Sequence, residues 1–213
     1  MTPQEASKKT AEVCALAPVV PVLVVNDVAH ARPLAEALIA GGLPALEVTL
    51  RTPCALDVIR EMAKVEGGVV GAGTLLTPAD VKAAVEAGAT FGVSPGATDT
   101  LLDACEAADL PLLAGTCTAS DVMRLLERGY TVAKFFPAEA NGGAPALKGI
   151  GAPLPQMKFC PTGGISLKNA NDYLSLPNTL CVGGSWVAPS DLVVKGDWKA
   201  IEELAREAAS LSR

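Results

Sequence analysis

Aromatic and histidine side chains are scarce in this chain. Phe, Trp and Tyr together make up 4% of the residues, and His30 is the single histidine. A histidine-ligated zinc centre would have too few ligands, and a catalytic triad built on histidine is disfavoured. We therefore expect no metal and no cofactor, and we interpret His30 as a surface residue. Hydrophobic residues still reach 50%, so the core must be mainly aliphatic and rich in alanine.

A basic surface and a long apolar run are also missing. The formal net charge is -6, which argues against a nucleic-acid partner because such partners favour a basic face. The polar start MTPQEASKKT leads into no signal-peptide core. The longest apolar run, Ala15–Val25, contains two prolines and is too short to cross a bilayer. We expect a cytoplasmic protein without a membrane partner.

The cysteines form no C-x-x-C pair and are widely spaced. A chain of 213 residues with this much hydrophobic material needs no disulfide framework, so we expect reduced thiols. Each is interpreted as a small buried hydrophobe. The six positions are Cys14, Cys54, Cys105, Cys117, Cys160 and Cys181.

Short β-rich runs alternate with helical segments along the chain. This pattern implies a parallel sheet with helical crossovers, and eight units fit a single-domain (β/α)8 TIM barrel over residues 1–213. An extra helix at about 4–16 precedes the first strand. The predicted strands are 19–25, 45–50, 69–74, 91–96, 111–116, 131–137, 158–162 and 179–183. Predicted helices include 29–40, 53–64, 78–87, 99–108 and 119–128.

A doubly wound open sheet is the competing architecture. It normally has fewer strands and a glycine-rich turn after the first strand. The corresponding turn here is Asn26-Asp27, without glycine, which argues against a dinucleotide-binding fold.

The second predicted strand places polar side chains on one face. Glu47, Thr49 and Arg51 share that face because side chains alternate along a strand. In a barrel the face is the interior, where chemistry gathers at the carboxyl ends of the strands. A buried carboxylate is costly unless it is paired or used. The alternative is a buried Glu47–Arg51 ion pair that only satisfies itself.

Lys134 lies inside the sixth predicted strand, and lysine is rarely buried. Burial and a nearby cation such as Arg51 both disfavour the charged ammonium. The resulting amine is what attack on a carbonyl requires. A lysine that reaches solvent from a strand end is the alternative. The polar pair Glu47 and Arg51 on another strand favours the nucleophile.

Glycine-rich junctions follow the seventh and eighth predicted strands, as PTGGIS and VGGSW. Glycines let backbone N–H groups approach an anion, and a following helix N-terminus would add a favourable dipole. Barrels often bind phosphate after strands seven and eight, although either pair alone is typical of a tight turn. Thr74 at the third strand end could hold a substrate carboxylate or cap the next turn. Pro95 would shape one wall.

These motifs resemble those of the 2-keto-3-deoxy-6-phosphogluconate (KDPG) aldolase family, often bifunctional with 4-hydroxy-2-oxoglutarate (KHG) aldolase. The resemblance runs from the first strand to the last helix, while TCTAS and the N-terminal helix match more loosely. It rests on VVPVLVV, GGLPALEVTLRT, VVGAGTLLTP, GVSPG, KFFPAEANGG, FCPTGGIS and LCVGGSW. It implies a metal-free Schiff-base lyase that cleaves KDPG to pyruvate and glyceraldehyde 3-phosphate in the Entner–Doudoroff pathway. It also implies a homotrimer.

The resemblance assigns roles by position. It implies that Lys134 forms the Schiff base and that Glu47 is the general acid/base. It implies that a threonine at Thr162 favours the gluconate epimer over the galactose-derived one. The remaining implied contacts are Arg51, Thr74 and Pro95 at the pyruvyl end, Phe136 as an aromatic wall, and Thr162, Gly163, Gly164, Gly184 and Ser185 around phosphate and hydroxyls.

Two rival functions remain on the residues alone. A phosphate-binding barrel isomerase without an imine would explain the glycine loops and leave Lys134 unexplained. A sugar-phosphate-binding or structural barrel would need no catalytic group at all.

Overall fold

The structure is a computed structural model, and it describes residues 1–212. Within these residues nine short strands pair in parallel through two sheet segments. The strands are β1 (Val19–Leu23), β2 (Ala45–Thr49), β3 (Val69–Gly73), β4 (Phe91–Val93), β5 (Leu112–Leu113), β6 (Gly115–Thr116), β7 (Val132–Phe135), β8 (Lys158–Pro161) and β9 (Val182–Gly184).

Helices connect the strands in the predicted alternating order. Two 3-10 helices, Val28–His30 and Glu139–Asn141, add to the α-helices. No helix in residues 1–212 combines the length and hydropathy needed to cross a membrane. The α-helices are α1 (Pro3–Ala15), α2 (Ala31–Ala40), α3 (Ala55–Met62), α4 (Pro78–Glu86), α5 (Asp99–Ala107), α6 (Ala119–Arg128), α7 (Gly143–Gly151), α8 (Ala170–Leu174), α9 (Ser190–Lys195) and α10 (Trp198–Ala209).

The local sequence explains where several helices begin and end. Thr77 caps α4 by accepting the Asp80 N–H, while the Asp80 carboxylate accepts the Thr77 N–H, which satisfies two unpaired backbone donors. Thr118 caps α6 in the same way. Gly129 ends α6 in the left-handed conformation that glycine adopts without steric cost.

The sheet is curled, and its two segments have the orders β5-β4-β3-β2-β1-β9 and β6-β7-β8. The prediction of one continuous fifth strand was wrong, because the strand breaks at Ala114. The first part, β5, pairs with β4, and the second part, β6, pairs with β7. A close neighbour accounts for the break. A Cβ at Gly115 would lie 2.2 Å from the carbonyl carbon of Pro95, so the Pro95 turn crosses directly over the chain there.

Isolated bridges connect the other ends of the two segments. Phe159 of β8 pairs with Thr179, and Thr162 pairs with Gly183 of β9. Residues 179–183 were predicted as one strand, but β9 begins only at Val182, and Thr179 contributes a single bridge. The observed architecture is an α/β fold with a curled parallel sheet.

Two apolar clusters fill the interior. The larger one packs the helices against the outer face of the sheet. The smaller one, called the lower cluster below, is covered by α1, which packs against β5 and β7. The lower cluster consists of Cys14, Val20, Ala45, Phe91, Val93, Leu113, Val132, Cys160 and Cys181.

Candidate active site

Lys134 and Glu47 form a buried pair on the inner face of the sheet. Lys134 lies in β7 and is 5% exposed, and Glu47 lies in β2 and is 3% exposed. The Lys134 Nζ donates to Glu47 Oε1 over 3.5 Å. The same Nζ lies 5.0 Å from the centre of the Phe136 ring. The alternative considered from the sequence, a Glu47–Arg51 ion pair, is not observed. Among the described residues the ion-pair partner of Glu47 is Lys134.

Burial sets the protonation of Glu47. Loss of solvent raises the pKa of this carboxyl above its usual range, and the nearby Lys134 ammonium offsets only part of that increase. A carboxyl with a raised pKa retains its proton at higher pH than an exposed one. It is therefore able to donate and accept a proton closer to neutrality.

The pair lies in a cavity of about 300 Å³ at the carboxyl ends of the strands. The cavity brings together all eleven residues that the sequence nominated, which come from six separate strand ends and loops. These are Glu47, Arg51, Thr74, Pro95, Lys134, Phe136, Thr162, Gly163, Gly164, Gly184 and Ser185. Four further lining residues, Val22, Thr49, Ile165 and Gly183, were not nominated.

The polar face predicted for the second strand is confirmed. Glu47, Thr49 and Arg51 all line the cavity, whereas Leu46 and Val48 belong to the outer apolar cluster. The Thr49 hydroxyl donates to the Leu23 carbonyl oxygen over 2.9 Å, so its buried oxygen is satisfied. Thr49 thus lines the cavity, on the face to which the strand alternation assigned it.

Thr74 adopts an unusual backbone conformation at the cavity edge. Its φ of +63° lies in the left-handed region, where a β-branched residue is strained by about 1–3 kcal/mol. The capping role considered for Thr74 belongs to Thr77, which caps α4. Thr74 lines the cavity, and backbone strain of this kind clusters at functional sites, so it stays a candidate substrate contact.

The first glycine-rich junction follows β8, the seventh predicted strand, whereas the glycines of the second, Gly183 and Gly184, are the last two residues of β9. Gly163 and Gly164 have φ values of +105° and +77°, which glycine adopts readily. The expected helix dipole directly after each junction is not observed. The helix α8 begins only at Ala170, after a turn in which the Ser166 N–H donates to Asn169 Oδ1, and α9 begins only at Ser190.

Glycines on neighbouring strands make room for the functional side chains, and the sequence reasoning missed this. A Cβ at Gly73 would lie 2.4 Å from Glu47 Oε1, and one at Gly183 would lie 2.3 Å from Thr162 Oγ1. The available signal was a pair of glycines inside apolar strands, which often marks a close approach.

A larger depression of about 690 Å³ lies elsewhere, between the 3-10 helix Glu139–Asn141, α7 and α8. Its polar contact is a hydrogen bond from Tyr173 to Glu139. This depression contains neither Lys134 nor Glu47. The smaller cavity, which holds a buried amine beside a carboxyl, is therefore the candidate site.

Three of the widely spaced cysteines, which are buried as expected, meet just below the site. The Sγ atoms of Cys14, Cys160 and Cys181 all lie within 4.8 Å of one another. Hydrogen bonds from Cys14 and Cys181, together with the charge of Lys134, lower the pKa of the Cys160 thiol, and burial partly opposes them. This group is the candidate metal-ligand set among the described residues.

Sequence comparisons give one consistent family. A sequence profile described as KDPG and KHG aldolase matches residues 10–204. The 2-dehydro-3-deoxy-phosphogluconate aldolase of Pseudoalteromonas atlantica is 54% identical over 194 residues, 91% of this chain and 90% of the relative. The KHG/KDPG aldolase of Escherichia coli is 53% identical over 192 residues, 90% of each chain.

Solved structures agree with the sequence relatives. The 2-keto-3-deoxy-6-phosphogluconate aldolase of Zymomonas mobilis with 3-phosphoglycerate has a TM-score of 0.94 and 51% identity, covering 97% of this chain and 98% of that one. The KDPG aldolase of Legionella pneumophila, with pyruvate captured as a covalent carbinolamine, has a TM-score of 0.91 and 46% identity, covering 94% and 98%. The chain belongs to the KDPG and KHG aldolase family, whose members are lyases.

Proposed function

We propose that this chain is a Schiff-base aldolase that cleaves 2-dehydro-3-deoxy-6-phosphogluconate to pyruvate and glyceraldehyde 3-phosphate. The observation that carries the proposal is the buried Lys134 Nζ, 3.5 Å from Glu47 Oε1, in a cavity of about 300 Å³. The relatives named for this reaction and the pyruvate carbinolamine of the Legionella enzyme support it.

In the proposed reaction the Lys134 amine attacks C2 of the substrate ketone and forms a carbinolamine. Loss of water gives an iminium, which withdraws electrons from the C3–C4 bond. Glu47 takes the proton of the C4 hydroxyl, directly or through a water, as that bond breaks. The electron pair of the C3–C4 bond forms the C2=C3 double bond of an enamine, and glyceraldehyde 3-phosphate leaves. Protonation at C3 and hydrolysis then release pyruvate and restore the amine.

Glu47 suits both directions of proton transfer because burial raises its pKa. As an acid it supports loss of the carbinolamine hydroxyl, and as a base it removes the C4 hydroxyl proton. A single carboxyl in contact with the nucleophile reaches both steps. The Phe136 ring, 5.0 Å from the amine, covers one side of the imine and limits the access of water.

The substrate lies between two polar ends of the cavity. Arg51, Thr74 and Pro95 hold the pyruvyl end, where the Arg51 guanidinium complements the carboxylate. At the other end the backbone N–H groups near Gly163, Gly164, Gly184 and Ser185 receive the phosphate and the neighbouring hydroxyls. The reaction uses no metal and no cofactor.

Substrate range depends on the same contacts. Thr162, 6% exposed in the cavity, favours the gluconate-derived epimer over the galactose-derived one. A second activity, cleavage of 4-hydroxy-2-oxoglutarate to pyruvate and glyoxylate, is supported by the Escherichia coli relative named for both substrates. That substrate shares the pyruvyl end and lacks the phosphate.

The curled sheet completes a (β/α)8 barrel in this proposal. The broken fifth strand belongs to both segments, and the bridges from β8 to β9 support closure on the other side. The whole chain is one domain, with α1 as the extra N-terminal helix. The enzyme acts as a cytoplasmic homotrimer in the Entner–Doudoroff pathway.

A coupled assay tests the reaction. The purified chain in a buffer containing EDTA should release pyruvate from 2-dehydro-3-deoxy-6-phosphogluconate, measured through lactate dehydrogenase. Failure to release pyruvate would contradict the proposal and favour a binding protein or an isomerase. Activity that disappears in EDTA and returns with a divalent ion would contradict the metal-free mechanism.

A further inference from the structure

Three cysteines from distant parts of the chain converge in the lower cluster. Cys14 is the second-last residue of α1, Cys160 lies in β8, and Cys181 directly precedes β9. All three are at most 1% exposed. Their Sγ atoms lie within 4.8 Å of one another, so three separate elements present sulfur to one point.

The three thiols belong to an apolar cluster, and on the side toward the cavity the Cys160 Sγ lies 3.9 Å from the Thr162 hydroxyl. The other members of the lower cluster are aliphatic or aromatic, and α1 covers them from below. No fourth cysteine, histidine or carboxylate among the described residues joins the group. An ion held here must accept three sulfur ligands and need no water or fourth side chain.

The spacing of the sulfurs is close to that of a three-coordinate centre. Three sulfurs at the usual metal–thiolate length of about 2.3 Å from a pyramidal three-coordinate centre would lie about 3.3 Å apart. Since the observed separations are at most 4.8 Å, small rotations of the three side chains would bring them to that distance.

We propose that Cys14, Cys160 and Cys181 form a binding site for trivalent arsenic, taken up as arsenite. Trivalent arsenic is thiophilic and is satisfied by three sulfur ligands. Three thiolates neutralise its charge completely, and a neutral adduct is the kind that an apolar interior tolerates. A divalent zinc ion would leave an open fourth position, which no cysteine, histidine or carboxylate among the described residues fills.

Charge and atoms balance without a redox partner. Arsenite enters as neutral As(OH)3, each thiol sulfur displaces one hydroxide, and each departing hydroxide takes the thiol proton. Three As–O and three S–H bonds break, three As–S bonds form, and three waters leave. Arsenic stays trivalent and the cysteines stay at the oxidation level of thiols.

Arsenite itself is the probe for the site. The purified protein is incubated with arsenite, desalted and examined by intact-mass spectrometry and by X-ray absorption at the arsenic edge. We expect one arsenic per chain, with three hydrogens lost and three sulfur neighbours. In Cys14→Ala and Cys181→Ala retention should fall more than about tenfold, since even a group that merely orients a ligand contributes that much.

Cys105→Ala is the matched control, because Cys105 is equally buried and lies outside the group. It should bind arsenic like the wild type. Cys14→Ser, which keeps the side-chain volume, replaces the alanine variant if circular dichroism indicates a folding defect. Oxygen neighbours around the arsenic, no retained arsenic in the wild type, or unchanged retention after loss of Cys14 would each overturn the proposal.

Discussion

The inner face of the sheet carries two neighbouring layers of opposite chemistry. The upper, polar layer contains Glu47, Thr49, Lys134 and Thr162, and it faces the cavity. The lower cluster is apolar apart from its thiols. The two layers lie only two residues apart on the same strands. Three strands show the change: Ala45 precedes Glu47 on β2, Val132 precedes Lys134 on β7, and Cys160 precedes Thr162 next to β8.

The two layers are expected to contribute differently to stability and to catalysis. The lower cluster contributes burial, and it includes the three cysteines of the proposed arsenic site. The polar layer holds a carboxyl and a lysine that burial penalises; the two pair with each other, and the proposed reaction uses both. Substitutions in the upper layer should therefore reduce turnover, and substitutions in the lower cluster should reduce the free energy of unfolding.

Glu47→Gln should give the largest effect that leaves the nucleophile in place. The amide keeps the shape and cannot exchange a proton, so turnover should fall by about 10²–10⁴-fold while pyruvate still forms some imine. Steady-state kinetics and borohydride trapping measure the two quantities separately. A turnover within about threefold of wild type would remove Glu47 from the mechanism.

Two glycines of β3 allow a paired comparison of the layers. A Cβ at Gly73 would lie 2.4 Å from Glu47 Oε1, and a Cβ at Gly71 would lie 2.4 Å from the Phe91 ring. Gly73→Ala should displace the carboxyl and reduce kcat by about 10²-fold, since a 1 Å misplacement costs that much. Gly71→Ala should overpack the lower cluster and cost about 1–3 kcal/mol of unfolding free energy.

Kinetics and urea unfolding of both variants check this comparison. Gly71→Ala should retain most of its turnover per folded molecule. If instead the two alanines reduce kcat equally, the layers are not functionally distinct.

Gly163→Val probes the far end of the polar layer. The bulk and the strained φ should disturb backbone N–H contacts with phosphate, and contacts to a charged group are worth enough to reduce kcat/KM by about tenfold or more. The unphosphorylated 4-hydroxy-2-oxoglutarate should be affected far less. Equal losses for both substrates in a folded variant would assign the glycines to the turn alone.

The pH dependence of stability should give the smallest signal. Because the pKa of Glu47 is raised above its ordinary value of 4.5, its contribution to stability is complete below that value and is lost as pH rises through the folded pKa. The unfolding free energy of Glu47→Gln, measured in urea, should therefore increase relative to that of the wild type as the pH rises above 4.5. If the unfolding free energy of the wild type instead rises relative to that of the variant, the Lys134 charge lowers the pKa of Glu47 by more than burial raises it.

The polar layer could be predicted from the sequence because its signals are local. Alternation on β2 identified the inner face, and the lysine within the apolar β7 became a candidate nucleophile once Glu47 and Arg51 were placed on that face. Thr162 was assigned by the family resemblance. The three-cysteine group could not, because Cys14, Cys160 and Cys181 come from remote segments whose spacing carries no pattern. The break at Ala114 depends on the close approach of the Pro95 turn, which is a tertiary effect.

Covalent trapping with pyruvate and borohydride tests the central claim, that Lys134 is the nucleophile, most directly. Wild type should gain one reduced pyruvyl group, mapped by peptide mass spectrometry to Lys134. Lys134→Ala should gain none while keeping its fold, and Lys148→Ala, which removes an exposed lysine, should be labelled like the wild type. Equal labelling of Lys134→Ala, or attachment to another lysine, would contradict the account.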